Sequence, residues 1–215
     1  MNNQTPIRVR VQFSKVGDLR FTGHIDLQRL FERALRRSGL PIRYSQGFSP
    51  KVRLNLASAL PLGYSSHAEL LDFWLDTEPG LAEVMKTLRD ALPKELVVNE
   101  LWVVPNQAAS LQSSLRASEF LVSFPPCMHL QTLQKALHDL LSQETIEIEN
   151  RGKVKNLRPM ILDACWKEDE PILRLCMSAI PGSTGRPDDL VRAMGMNPAD
   201  CAFERTSMIF EESHA

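Results

Sequence analysis

The sequence predicts an α+β chain of two tandem modules, each built on an antiparallel sheet. Three observations carry this. Short strand-like runs, most of them alternating apolar and polar residues, punctuate the first hundred positions. Two segments between them repeat apolar residues every three to four positions. After a polar stretch, a similar order of elements returns. Period two is the mark of a half-buried strand, and a period near 3.6 that of an amphipathic helix.

Taken in order, residues 7–13 place Ile7, Val9, Val11 and Phe13 against Arg8, Arg10 and Gln12, a strand with one apolar face. Gly17 and Asp18 break it. Residues 24–38 then read as a helix. At 100° per residue, Leu27, Leu30, Phe31, Ala34 and Leu35 share one arc. Arg29, Arg33 and Arg36 share the opposite one, with Arg37 at its edge. Gly39 and Pro41 are the stop. Residues 51–57 alternate again, with Val52, Leu54 and Leu56 on one side. A third strand fits 68–76. Pro79 opens a second helix with Leu81, Val84, Met85, Leu88 and Leu92 on its apolar face. Pro93 follows, and 96–104 is the fourth strand. The order β-α-β-β-α-β is the split β-α-β, or ferredoxin-like, plan.

Residues 105–118 are small and polar and read as a linker. Beyond it come a strand at 120–124, a helix at 130–141 and a strand at 145–149. Two further strands at 157–166 and 172–180, a short helix at 187–194 and a last strand at 203–210 complete the chain. The expected division is a first ferredoxin-like module at 6–104, a linker at 105–118 and a second ferredoxin-like module at 119–212.

Charge is split between the two ends. Residues 1–60 hold 11 Lys and Arg against 3 Asp and Glu, a balance of +8; the remainder holds 14 against 23, a balance of −9. The whole-chain value of −1 hides this. A local excess of this kind predicts a polyanion partner, RNA foremost. No run approaches the ~18–20 apolar residues of a membrane helix, and the N-terminus lacks a signal-peptide core. The expectation is a cytoplasmic protein with no membrane partner. Cys127, Cys165, Cys176 and Cys201 form no CxxC pair, so buried reduced thiols are expected rather than a metal site. No cofactor is expected.

The candidate binding residues lie in the basic block. Arg29, Arg33, Arg36 and Arg37 can follow a phosphate backbone, or they can form a solvated face with Glu32 pairing to Arg36 or Arg29. His24 stands where the first helix begins, a position that favours an anion, with Arg20 beside it; a surface or capping histidine is the plain alternative. In the loop 44–51, Tyr44 and Phe48 can stack on bases, Gln46 can read a base edge and Lys51 can meet phosphate. The alternative is a packed turn shaped by Gly47 and Pro50. Arg8, Arg10 and Arg53 are expected on an open sheet face, where Asp72 can pair with Arg10. The stretch 151–158 is a second basic segment, either an RNA contact or a mobile loop. HExxH, GxSxG, P-loop and dinucleotide motifs are all missing from the sequence.

The string VQFSKVGDLRFTGHIDLQRLFERALRRSGLPIRYSQGFSPKVRLNLASALPLG, residues 11–63, resembles the start of the radical-SAM-linked protein family of uncharacterised bacterial domains. VKNLRPMI at 154–161, GRPDDLVRAM at 185–194 and ERTSMIF at 204–210 extend the resemblance more loosely. The resemblance implies a companion to a B12-type radical-SAM enzyme in an RNA or translation setting, and supplies no catalytic residues. The CxxxCxxC cluster motif of such enzymes does not occur in this sequence, so the iron–sulfur protein would be a separate polypeptide.

The functional expectation is a non-catalytic accessory protein that binds RNA, tRNA or rRNA, through the basic module and presents it to the radical-SAM protein. Two alternatives stand beside it. One is a metal-independent endoribonuclease using groups such as His24, Tyr44 and Lys51. The other is a protein–protein adaptor without RNA binding. A monomer and a homodimer are both compatible with the charge split.

Overall fold

The computed structural model describes residues 5–78, 80–150 and 152–211. It is a mixed α and β protein with mostly antiparallel strands and few helices. The chain divides into two compact units, one running up to residue 114 and taking in Glu211, the other Leu115–Phe210.

In the first unit, β1 (Ile7–Lys15) leads through a 3-10 turn at Gly17–Phe21 into α1 (His24–Arg37). Then come β2 (Leu54–Leu56), β3 (Ser65–Leu75), α2 (Leu81–Ala91), β4 (Leu96–Val104) and the single turn of α3 (Leu111–Ser114). β1 pairs antiparallel with both β3 and β4, and β2 pairs antiparallel with β3, so the strands lie β2-β3-β1-β4. Val9 faces Phe73 on one side and Val103 on the other.

The alternation of β1 has its expected result. Val9, Val11 and Phe13 are fully buried with Leu27, Phe31, Ala34 and Leu35 of α1 and Val84 and Leu88 of α2. Phe31 meets Phe13 edge-on at 4.8 Å between ring centres, a geometry that the ring quadrupoles favour. Burying a ring of this size stabilises by about 2–3 kcal/mol. Because Leu27, Phe31 and Leu35 are held inward, the arginines at the opposite phase are held outward. The helix stops as the spacing predicts: Gly39 adopts φ 71°, a left-handed conformation open to glycine at little cost.

The second unit begins with β5 (Leu115–Ser123) and α4 (Leu130–Leu141). β6 (Glu147–Asn150) and β7 (Lys153–Asn156) form a separate two-stranded ribbon. β8 (Ile161–Trp166), β9 (Ile172–Ile180), β10 (Ser183–Thr184), α5 (Pro187–Ala193) and β11 (Ala202–Phe210) follow. β5 pairs antiparallel with β11 and β9, and β9 with β8 and β10, giving β11-β5-β9-β8.

Several boundaries differ from the sequence reading, each for a physical reason. The strand expected at 51–57 shrinks to Leu54–Leu56, because 51–53 returns a hairpin: Tyr44 bridges Val52, and the Arg53 N–H donates to the Arg43 carbonyl at 2.9 Å. The stretch read as a linker, 105–118, contains α3 and the start of β5. Its small polar composition hides two anchors, Leu111 and Leu115, both buried. The strand expected at 157–166 starts only at Ile161, since Arg158–Met160 is a 3-10 turn led by a proline. The loop at 151–158 is largely β7. Pro79, expected to open α2, and Arg151, in the second basic stretch, lie outside the described residues, as does residue 212 at the end of the expected second module.

Candidate functional site

The arginine face of α1 is built by helical phase alone. Arg29, Arg33, Arg36 and Arg37 are all exposed. The neutralising partner expected for them is engaged elsewhere: Glu32 accepts a bond from the Gln28 amide at 3.1 Å, one turn away. Arg29 reaches Asp26 at 3.4 Å, but these side chains are 64% and 67% exposed. A pair so open to water is worth little. The Arg33 Nε donates to the Arg29 carbonyl at 3.3 Å, and Arg37 donates to the Ala91 carbonyl at 2.9 Å. Among the described residues, no carboxylate lies within ion-pair reach of Arg33 or Arg36. Arg33 and Arg37 also line a groove with Thr22, Asp26, Leu30 and Pro93.

His24 is the first residue of α1, and Gly23 before it offers no side-chain cap. The His24 Nδ1 is buried with no hydrogen-bond partner among the described residues. Asp26 already places a carboxylate in the first turn, so the helix end has its own negative charge. Arg20 turns to the Phe21 ring, 4.8 Å from its centre, rather than to a bond with His24. Its carbonyl accepts from the Gly63 N–H at 2.8 Å, which sets Leu62 beside the Arg20–Phe21 step. Phe21, Ile25 and Leu62 are all strongly exposed.

The segment 44–51 is a braced hairpin, not a packed turn. The Ser45 N–H donates to the Lys51 carbonyl at 2.8 Å, and the Lys51 N–H donates to the Ser45 hydroxyl at 3.0 Å. At the base, the Arg43 N–H donates to the Trp74 carbonyl at 2.8 Å. Tyr44, Gln46, Phe48 and Lys51 are all exposed, and Phe48 has 110% of its reference accessibility. Gly47 at φ 144° lets the tip turn.

Of the sheet arginines, Arg8 and Arg10 do not lie on an open face. Asp72, fully buried, accepts from Arg8 Nε at 2.9 Å, from Arg10 Nε at 2.7 Å and from Arg10 Nη2 at 3.0 Å. Arg8 donates besides to the carbonyls of Ala108 and Ala109 at 2.7 and 3.0 Å. The 105–114 segment thus runs over this side of the sheet, and the Arg8 charge is spent inside the protein. Arg53 stays exposed but lies over the Trp74 ring at 4.2 Å. Alternation along β1 put Arg8 and Arg10 on one face; that a distant segment would cover Arg8 had no local signal.

The second basic stretch is also structural where it is described. Lys155 pairs with buried Asp189 at 3.4 Å, and Arg158 Nε donates to the Leu141 carbonyl at 3.2 Å. The thiols differ from expectation too: Cys127 and Cys165 are exposed and Cys176 and Cys201 half-buried, all four free. Burial, and then Asp200, push the Cys201 thiol up to about 11. Burial with Glu119 and Asp163 raises Cys176 as well. Among the described residues, no three His, Cys, Asp or Glu side chains gather as a metal site, and no helix is long and apolar enough to cross a membrane.

The fold and this surface define an antiparallel α+β protein that displays arginines along one helix and an aromatic ring at the tip of the 44–51 hairpin. Residues 8–187 match the family described as "Uncharacterized protein conserved in bacteria (DUF2344)", and the chain belongs to that family. No curated protein matches it.

Proposed function

We propose that this protein is a non-catalytic accessory factor that binds RNA, tRNA or rRNA, through α1 and the 44–51 hairpin, and serves a B12-type radical-SAM enzyme on a separate polypeptide in the cytoplasm. The radical-SAM partner rests on the sequence resemblance. The RNA reading rests on one observation above others: Arg33 and Arg36 are exposed on a rigid helix with no carboxylate beside them among the described residues. Four arginines within one arc can follow a phosphate backbone, and the one exposed Arg29–Asp26 pair offsets little of their charge. Arg8 and Arg10 drop out of the interface, because Asp72 holds both. The strand orders β2-β3-β1-β4 and β11-β5-β9-β8, each with two helices between strands, support reading both units as ferredoxin-like modules.

Filter binding of tRNA at 50 and 200 mM salt tests the reading. Four phosphate contacts imply about a 50- to 150-fold loss of affinity over that range. The double variant Arg33→Glu/Arg36→Glu should lower affinity at 50 mM salt and cut the salt dependence by about half. Retention that is absent at low salt, or unchanged in that variant, rejects the reading.

A second reading has its own observation. Phe21, Ile25 and Leu62 expose apolar surface near the start of α1, which suits a protein partner. Co-purification with a radical-SAM polypeptide that survives nuclease treatment and is lost in Ile25→Asp favours this adaptor role.

A further inference from the structure

We infer that the 44–51 hairpin is a stacking tip for unpaired nucleobases, so that the RNA taken by this protein is single-stranded or looped rather than continuous duplex. This deepens the RNA-binding reading and rests on it. The Phe48 ring stands wholly in water, with 110% of its reference accessibility. A ring in a loose loop could be incidental. This one ends a hairpin braced by the two Ser45–Lys51 bonds, the Tyr44–Val52 bridge and the Arg53–Arg43 and Arg43–Trp74 backbone bonds. Rigid presentation of an apolar ring lowers the ordering penalty on binding.

The sequence on either side of the hairpin bears on the partner. From Arg33 to Ala68 the chain carries six Lys and Arg and no Asp or Glu. Arg43 is paired to Asp76 at 2.7 Å, which leaves Lys51 as the hairpin's own cation. Gln46, exposed in the same loop, offers both a donor and an acceptor. A ring for a π-face, an amide for a base edge and an ammonium for phosphate together match one unstacked nucleotide. In A-form duplex the base faces are taken by their neighbours, and the deep major groove excludes side chains. A duplex therefore offers this ring nothing to stack on.

The test uses fluorescence anisotropy with a labelled mixed-sequence 12-nucleotide RNA, alone and annealed to its complement. Wild type should prefer the single strand. Phe48→Ala, a change at a fully exposed ring, should weaken single-strand binding by about 5- to 150-fold and leave duplex affinity within about twofold. Phe48→Trp should retain single-strand affinity and show indole quenching on binding, above the wild-type tryptophan background. Equal affinity for both RNAs with no effect of Phe48→Ala overturns the inference, while loss of binding in Arg33→Glu/Arg36→Glu would leave the broader reading standing. Unchanged RNA affinity in Phe48→Ala together with loss of a co-purifying protein also overturns it, and assigns the ring to a protein pocket. Absence of all RNA binding by wild type at low salt rejects the broader reading, and this one with it.

Discussion

Replacing Asp72 with asparagine should destabilise the first unit more than any surface change in the basic block. Asp72 is the acceptor for both guanidinium groups, taking bonds from Nε and Nη2 of Arg8 and Nε and Nη2 of Arg10. The side chains of Arg8 and Asp72 are 4% and 1% exposed, so water cannot replace the lost carboxylate. Asparagine keeps the shape but brings one donor group against four donors, and it leaves a buried cation uncompensated. Breaking such a pair costs about 3–5 kcal/mol. At a urea slope of about 2 kcal/mol per molar, the unfolding midpoint falls by about 2 M. Denaturation followed by tryptophan fluorescence in a Trp166→Phe background reads this unit, since the Trp74 ring lies over the network with Arg8 at 5.6 Å. The companion Arg8→Met/Arg10→Met/Asp72→Leu should recover much of the loss, because an apolar cluster leaves neither guanidinium without its carboxylate. A loss below about 1 kcal/mol in Asp72→Asn would refute the assignment of Arg8 as a structural group.

Two further outcomes follow from the same geometry. Phe31→Ala removes a fully buried ring that touches Phe13 and should cost about 3–5 kcal/mol in urea or thermal unfolding. For the thiols, exposed Cys127 and Cys165 should react first with a thiol reagent at pH 8, and Cys201, with its pKa near 11, should react last. A raised pKa keeps the thiol protonated, so Cys201 labelling should still be rising above pH 9, where a thiol of ordinary pKa levels off. Mass mapping of the modified residues checks the order.

Much of the architecture was legible because its signals are local. The period of two in β1 and of 3.6 in α1 depends only on which side chains avoid water, and both elements occur where that pattern runs. Gly39 as a stop and the arginine phase of α1 follow from the same argument. The hairpin at 44–53 was less legible. Its strands are short, and the Tyr44–Val52 bridge pairs residues whose own sequence alternation points equally to an isolated strand. The β6–β7 ribbon was half seen, since charge obscured the pairing of Lys153–Asn156. The exposure of the cysteines is not encoded by residue type, since a thiol is tolerated on either face of a strand: Cys165 in β8 is exposed and Cys176 in β9 half-buried.

By itself, the sequence determined the order of strands and helices through residue 104, the apolar faces of β1, α1 and α2, and the concentration of positive charge in the first sixty residues. Charge counts along a chain are additive and need no geometry. Alternation already offered Asp72 to Arg10; tertiary structure decided the rest of which charges remain available. Arg8 and Arg10 meet Asp72 across 64 and 62 residues of chain, and Arg8 meets the carbonyls of Ala108 and Ala109 across 100 residues or more. Among the described residues, Arg33 and Arg36 meet no acid, because the helix that carries them turns its other side to the core. Whether a cation is spent or free depends on what the folded chain brings within about 4 Å of it, and no local pattern encodes that.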